Sequence, residues 1–427
     1  MEARVQYGVH AVATSTALRN QGLLKFLLVL FLLSCVFDPA DRLLGMKVYL
    51  FVACWGAALI PVVLGSQVHR LHGGLLIYIL LFLAVPVLSI AWYWTVDGRP
   101  EFEGFQLLKG YILISLAALL YISRIDLLPA LSATLSVLAL LIIGVFLLVT
   151  AVPVLVAPLY LFGNATGIVY LSDRDYGSGL VLSQVYFATS PMLAISIPFY
   201  FQRACTAVGS RQRLLNLLLL LAGVVAMFLA GSRNNMAVAI LLPLILYVLY
   251  SRNKAFSVAA IIIAFFAFAL VFVEQIAVLL DPAEFSNNIK LGLLDDYRRI
   301  FERASMLFFG SGLGAYDYWD AKGTHFFVSE LTYLEVLRNF GVLGGAVMIG
   351  LLLLPIAYAV FRGRDYQDWH IILGYASYLV MCASNPNLFS SMGILILSVL
   401  MSDVFMEEAA HDSEVIGQVR SGQAVVG

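Results

Sequence analysis

The sequence predicts an all-α polytopic integral membrane protein, with about 12 transmembrane helices and one long outer loop that contains short helices. Three observations predict it. The 427 residues are 62% hydrophobic and only 12% charged, with a mean hydropathy of +0.93, whereas soluble domains lie nearer half apolar and a quarter charged. The apolar residues gather in stretches close to the ~20 residues a helix needs to cross a hydrocarbon core. The Lys and Arg residues between those stretches are shared unequally, as the positive-inside rule requires of a multi-span protein.

The elements follow in chain order. Residues 1–21 form an inner segment bearing Arg4 and Arg19. LLKFLLVLFLLSCVF has no small-x-small site after it, so it reads as an uncleaved first span and not as a signal peptide. Nine spans are expected within 22–278, at 22–37, 47–64, 74–96, 106–122, 130–152, 180–201, 214–230, 234–250 and 255–275. With the N-terminus inside, the inner segments carry thirteen Lys and Arg, and the short outer ones six. AWYW at 91–94 closes the third span on the outer side, as an aromatic belt does. Two outer loops exceed what a connection needs, one from Ala151 to Gly179 and one at 279–329. Spans ten to twelve follow within 330–406, at 336–360, 369–385 and 388–406. The polar tail 407–427 is expected to be inside and disordered.

Net charge is −1, so there is no basic body for nucleic acid. Cys35, Cys54, Cys205 and Cys382 have no disulfide or zinc spacing. No cofactor motif or metal-ligand cluster is legible, and GSGLG at 310–314 reads as a tight turn because no strand–helix unit surrounds it.

The candidate chemistry lies at the outer surface. His325 is the one histidine of six outside under this topology, and reads either as a polar anchor or as a site residue. On one helix, Glu330 and Glu335 would lie about 140° apart. Glu335 then pairs with Arg338 at i,i+3. Glu330 shares a face with Tyr333, Leu334 and Leu337 and has no basic partner on its own turn. A carboxylate among apolar side chains suits a general base; the plain alternative is a helix-start carboxylate capped by Ser329. In DDYRRIFERA, Arg298–Glu302 and Asp295–Arg299 have the spacing of solvated salt bridges. Arg299 and Arg303 fall on one face, where an anion between them would offset their repulsion; Arg suits diphosphate through its planar fork. Arg233, with Asn234 and Asn235, lies in a short turn between spans seven and eight. It either snorkels or points into a cavity.

Together these pieces resemble the O-antigen polymerase and ligase superfamily, of the Wzy and WaaL type. The resemblance covers about 220–360 and is carried by GSR at 231–233, the Arg-bearing helix, the G-x-G-x-G turn, and E-x-x-Y-L running into G-V-L-G. Arg299 to Gly310 matches an Arg-x10-Gly pattern. Arg99 to Gly110 has the same spacing, while Arg174 in the earlier outer loop has none. The Ser329-Glu330 form after His325 resembles the polymerases more than the His-Asn ligases. The resemblance implies a GT-C-like glycosyltransferase, without metal or other cofactor, at the periplasmic face of a bacterial inner membrane, with both termini cytoplasmic. Its substrate would be an undecaprenyl-diphosphate-linked oligosaccharide held with membrane lipid, and a chain-length regulator and a flippase would act nearby. Arg233 and Arg299 would neutralise the leaving diphosphate, Glu330 would be the base, and His325 the alternative base or a hydroxyl ligand. Arg298, Arg303, Arg338, Tyr333 and Asn234 would bind substrate. A ligase with the same donor chemistry is the near rival. A lipid-linked glycan transporter is the distant one, disfavoured by the lack of sequence signs of repeats or paired broken helices.

Overall fold

The computed structural model describes residues 22–63, 71–97, 102–175, 181–271, 285–326, 328–361 and 369–421. Segment 1–21, Arg99, the join of the ninth expected span to the outer loop at 272–284, and residues 422–427 lie outside the described residues.

Continuous apolar runs become helices because a helix satisfies its own backbone where water cannot. The first six are α1 (Gly22–Phe37), α2 (Lys47–Val63), α3 (Gly73–Asp97), α4 (Phe102–Ile112), α5 (Leu116–Ser123) and α6 (Leu128–Ala151). One 3-10 turn at Leu113–Ser115 joins α4 to α5. Helix α7 (Val156–Thr166) and the antiparallel strands β1 (Val169–Asp175) and β2 (Val181–Phe187) fill the first long loop. Then come α8 (Leu193–Thr206), α9 (Ser210–Leu229), α10 (Arg233–Tyr250) and α11 (Lys254–Val271). The second long loop holds α12 (Phe285–Phe301), α13 (Ala304–Phe309) and a second hairpin, β3 (Asp317–Trp319) with β4 (Thr324–Phe326). The chain ends with α14 (Thr332–Phe361), α15 (Trp369–Cys382) and α16 (Ser391–Ser421).

The protein is therefore mostly helical and membrane-embedded. Among the described residues six helical stretches are long and apolar enough to cross a membrane: 73–96, 104–123, 128–151, 210–229, 233–250 and 332–361. Apolar but shorter helices stand at other expected positions, α1, α2 and α15 among them. Helix α8 packs on α6, α9, α10 and α15, while α14 packs on α3 and α16 on α5. One continuous core runs through these contacts. Leu76, Ile77, Leu80 and Leu81 of α3 remain exposed on its outward face, as lipid contact would require.

Three expectations change. The sixth span, placed at 180–201, opens as strand β2, whose partner is β1 across seven residue pairs. A 3-10 turn at Ser190–Met192, with Pro191 at its second position, comes next, and only 14 residues of helix follow. The all-α class gains two small hairpins for the same reason: short β-competent runs next to a turn pair locally. The tail does not lose order after Glu407, since α16 continues to Ser421. EEAAH directly extends an existing helix with residues of good helix propensity, so no new nucleus is needed.

The second loop has its own small core. Leu293, Tyr297 and Trp319 are fully buried, with Ile289, Ile300, Leu331 and Leu334 packed on them. This core fixes α12 and the β3–β4 hairpin against the start of α14.

Candidate active site

The site is organised by a break in α14. Gly341 has φ 64° and ψ −175° inside an otherwise helical run, a conformation open to glycine almost alone. A Cβ there would lie 2.2 Å from the Phe308 carbonyl oxygen. The break frees carbonyls that the helix would have bonded, and the glycine turn satisfies them. Ser311 N–H donates to the Arg338 carbonyl (2.6 Å). Ser89 Oγ donates to the Asn339 carbonyl (2.6 Å) and accepts from Leu313 N–H (2.9 Å). Trp92 Nε1 of the expected aromatic belt donates to the Gly310 carbonyl (3.0 Å). GSGLG thus returns the chain to the bundle as expected, wedged between α3 and the α14 break.

Just before the break lies a buried ionic network. Arg338 is completely buried. It donates through Nε and Nη2 to Glu335 (3.0 and 2.5 Å), and through Nη1 to Asp317 Oδ2 (2.6 Å) and the Ala315 carbonyl (3.0 Å). Trp319 lies beneath its guanidinium at 5.7 Å. Glu335 also accepts from Tyr297 Oη (2.9 Å) and Asn339 Nδ2 (3.1 Å). Burial, and then the Glu335 charge, push the Tyr297 phenol well above its ordinary range, so it stays a donor. The predicted Glu335–Arg338 pair is present. Arg338 as a substrate-binding residue is not: every face of its guanidinium is enclosed by protein, and it ties α12, β3 and α14 together.

Glu330 also differs from its expected setting. It precedes α14 instead of lying on it, and it pairs with Lys322 Nζ (3.2 Å), its side chain 45% exposed. The hairpin turn delivers a lysine that local spacing cannot show. Ser329 Oγ accepts from Leu331 N–H (3.3 Å) and caps no helical N–H. Tyr333 Oη donates to the Leu379 carbonyl (2.8 Å), which ties α14 to α15.

Arg299 and Arg303 line one depression of about 240 Å³ with Asp296, Asp317, Ser311 and Tyr318. Arg299 bonds Asp296 and Asp320. Its i,i+3 partner Asp296 replaces the Asp295 that spacing suggested, because Asp296 faces the loop core and Asp295 faces outward. Arg298 is exposed, and no Arg298–Glu302 pair forms among the described residues. His325 is exposed on β4, stacked on Tyr316 (5.3 Å, 12°) and edge-on to Tyr318 (5.0 Å). Tyr318 also lines the arginine depression.

Arg233 begins α10, capped by Ser232, and its Nη1 donates to Asn287 Oδ1 of α12. Asn234 Nδ2 donates to Ser384 Oγ (2.6 Å) and Asn235 Nδ2 to Ser190 Oγ (3.1 Å). This turn joins α12 to the bundle.

Sequence reasoning missed a second cavity of about 200 Å³, between α4, the start of α14 and the turn at 386–390. Tyr111, Glu335, Asn339 and Phe389 line it. The Glu-x-x-Arg-Asn pattern at 335–339 was a legible signal, whereas Tyr111 and Phe389 were ordinary aromatic residues in apolar text. Among the described residues no group of three His, Cys, Asp or Glu could hold a metal ion. No protein-family model matches this chain, and no curated protein matches it.

Proposed function

We propose that the protein is a Wzy-type polymerase of undecaprenyl-diphosphate-linked oligosaccharide repeat units, of O-antigen or exopolysaccharide kind, at the periplasmic face of a bacterial inner membrane. One observation carries the reading: two arginines, Arg299 and Arg303, open on one depression of a loop that is folded against the end of a membrane-embedded bundle. A lipid-anchored diphosphate reaches a protein at that level, and paired guanidinium groups are its natural partners.

In the reaction the acceptor hydroxyl oxygen bonds the anomeric carbon of the donor. The bond from that carbon to the diphosphate oxygen breaks, and its electron pair leaves with the diphosphate. Arg303, with Arg299 held by Asp296 and Asp320, offsets the growing negative charge. The hydroxyl proton passes to a base on the loop, for which Glu330 and His325 are both solvent-facing candidates. Arg233 and Arg298 are further cations for the lipid-diphosphate, with Asn234 beside Arg233.

The transporter reading gains one observation, the α14 break at Gly341, since discontinuous helices mark many transport sites. Its freed carbonyls are occupied by Ser311 and Ser89, so they are not left facing a substrate, and the enzyme reading stands.

The test is reconstitution in lipid vesicles with one defined undecaprenyl-diphosphate repeat unit, read as product length on a gel. A ladder spaced by one repeat is expected. Glycan appearing only on an added second acceptor would make the protein a ligase. Substrate that merely changes leaflet would replace the enzyme reading with the transporter one.

A further inference from the structure

The cavity beside Glu335 is absorbed neither by the buried network nor by the proposed transfer step. Its walls combine two features. One is aromatic: Tyr111 stacks on Phe389 (5.1 Å, 22°) and meets Phe340 edge-on (6.2 Å, 88°). The other is a set of oxygen acceptors. Thr332 Oγ1 already donates its proton to the Asn385 carbonyl (2.7 Å), and Ser390 Oγ donates to the Asn387 carbonyl (2.6 Å). What these hydroxyls still have to offer is lone pairs.

Asn339 adds the deciding observation. The residue is 6% exposed and its Oδ1 is buried with no hydrogen-bond partner, while its Nδ2 is committed to Glu335. A buried amide oxygen left without a donor is costly, and this residue lines the cavity. Oδ1 is itself out of solvent contact, so a ligand O–H donor would satisfy it once the carboxamide turns toward the cavity.

Charge narrows the ligand class. The two Glu335 oxygens receive four donors, from Tyr297, Arg338 twice and Asn339, so its charge is already matched and its acceptor positions are occupied. No Lys or Arg lines the cavity, which leaves nothing to neutralise a carboxylate or phosphate. The remaining acceptors are neutral hydroxyl and amide oxygens, weak partners for an ammonium group. The volume of about 200 Å³ is below that of a drug-sized site and suits a single ring.

We propose that this cavity seats one uncharged, hydroxyl-bearing sugar ring, with its hydroxyls donating to Asn339 Oδ1, Thr332 Oγ1 and Ser390 Oγ. Its C–H face lies on the Tyr111–Phe389 pair. The choice of a sugar among neutral hydroxyl ligands rests on the polymerase reading, in which the ring belongs to the acceptor repeat unit.

The experiment is saturation-transfer NMR on the full chain in lipid nanodiscs. The probes are methyl glucoside, methyl galactoside and methyl mannoside, set against methyl glucuronide and methyl glucosaminide. At least one neutral glycoside is expected to receive saturation, and both charged ones to receive little. Asn339→Leu removes the unpaired acceptor together with one of the four donors to Glu335, and should lower the signal about fivefold, the equivalent of one hydrogen bond of about 1 kcal/mol. Leu107→Trp fills the cavity from α4 without touching the ionic network, and should lower it as much with an unchanged unfolding midpoint. Binding of only the charged glycosides, binding of none, or neutral binding that Leu107→Trp leaves intact would overturn the proposal. The two readings fail separately. A wild-type ladder with no neutral-glycoside binding sinks the cavity assignment alone. Cavity-dependent binding without any ladder sinks the polymerase assignment alone.

Discussion

Two arginine–carboxylate clusters meet the same loop and behave in opposite ways. Around Arg338, two carboxylates, a tyrosine, an asparagine and a backbone carbonyl close a network on a fully buried guanidinium, with Asp317 at its partly exposed edge. Around Arg299, two aspartates hold a side chain that is 53% exposed, with Arg303 beside it on an open depression. The residue types are the same and the roles are not. Desolvation makes the first cluster structural, because a buried charge must be fully paired. Solvent makes the second available, because Arg299 and Asp320 are half exposed and their pair can be exchanged for an anion, while buried Asp296 keeps the Ala321 N–H donor.

The comparison breaks most sharply at Arg338. Arg338→Ala leaves Glu335 and Asp317 facing an empty guanidinium site, and should cost about 3–5 kcal/mol. It should be read as a lower unfolding midpoint in detergent and faster protease cutting within 285–331. A variant as stable as the parent would show that the network is not structural. Next comes Gly341→Ala. The positive φ alone costs about 1–3 kcal/mol, and the added methyl collides with the Phe308 carbonyl; the same unfolding measurement applies. Tyr297→Phe removes one of four donors to Glu335 and should cost about 1–2 kcal/mol, since a hydrogen bond to a charged group is lost while three remain.

The exposed pairs should barely register. Glu330→Gln weakens a partly exposed ion pair with Lys322 and should cost about 0–1 kcal/mol. Arg299→Ala should also cost little, because its guanidinium is half exposed and Asp296 keeps the Ala321 N–H donor. In the vesicle assay the order reverses: under the polymerase reading Arg299→Ala loses the ladder at equal protein level. A full ladder from Arg299→Ala would remove the catalytic contrast between the two clusters and leave only the structural one.

Much of the bundle was legible in the text. Helices α2, α3, α6, α9, α10 and α14 begin within a few residues of the expected spans, because burying a backbone in lipid forces a helix wherever ~20 apolar residues run together. The short strands were not, since VYLSDRD and VLSQVYF gain their structure only from each other across a turn. At the site, Glu335–Arg338 was readable from i,i+3 spacing; Arg299 and Arg303 do line one depression, but not as one helix face, because α12 ends at Phe301 and Arg303 is extended. Glu330 was misread because its partner comes from the turn of a hairpin that spacing along a helix cannot reveal.

The sequence by itself determined a helical membrane protein, the positions of most of its helices, and a long loop rich in arginine and acidic residues. Those properties follow from composition and local periodicity, which act along the chain. Only the tertiary structure decided which arginine is buried and which is exposed, where α14 breaks, and that Tyr111, Asn339 and Phe389 share one cavity. Each of those depends on groups distant in sequence, such as Ser89 with Asn339 or Tyr297 with Glu335. The reason is physical: charge and hydrogen-bond partners act through space, and the dielectric around a side chain is set by whatever the fold packs against it.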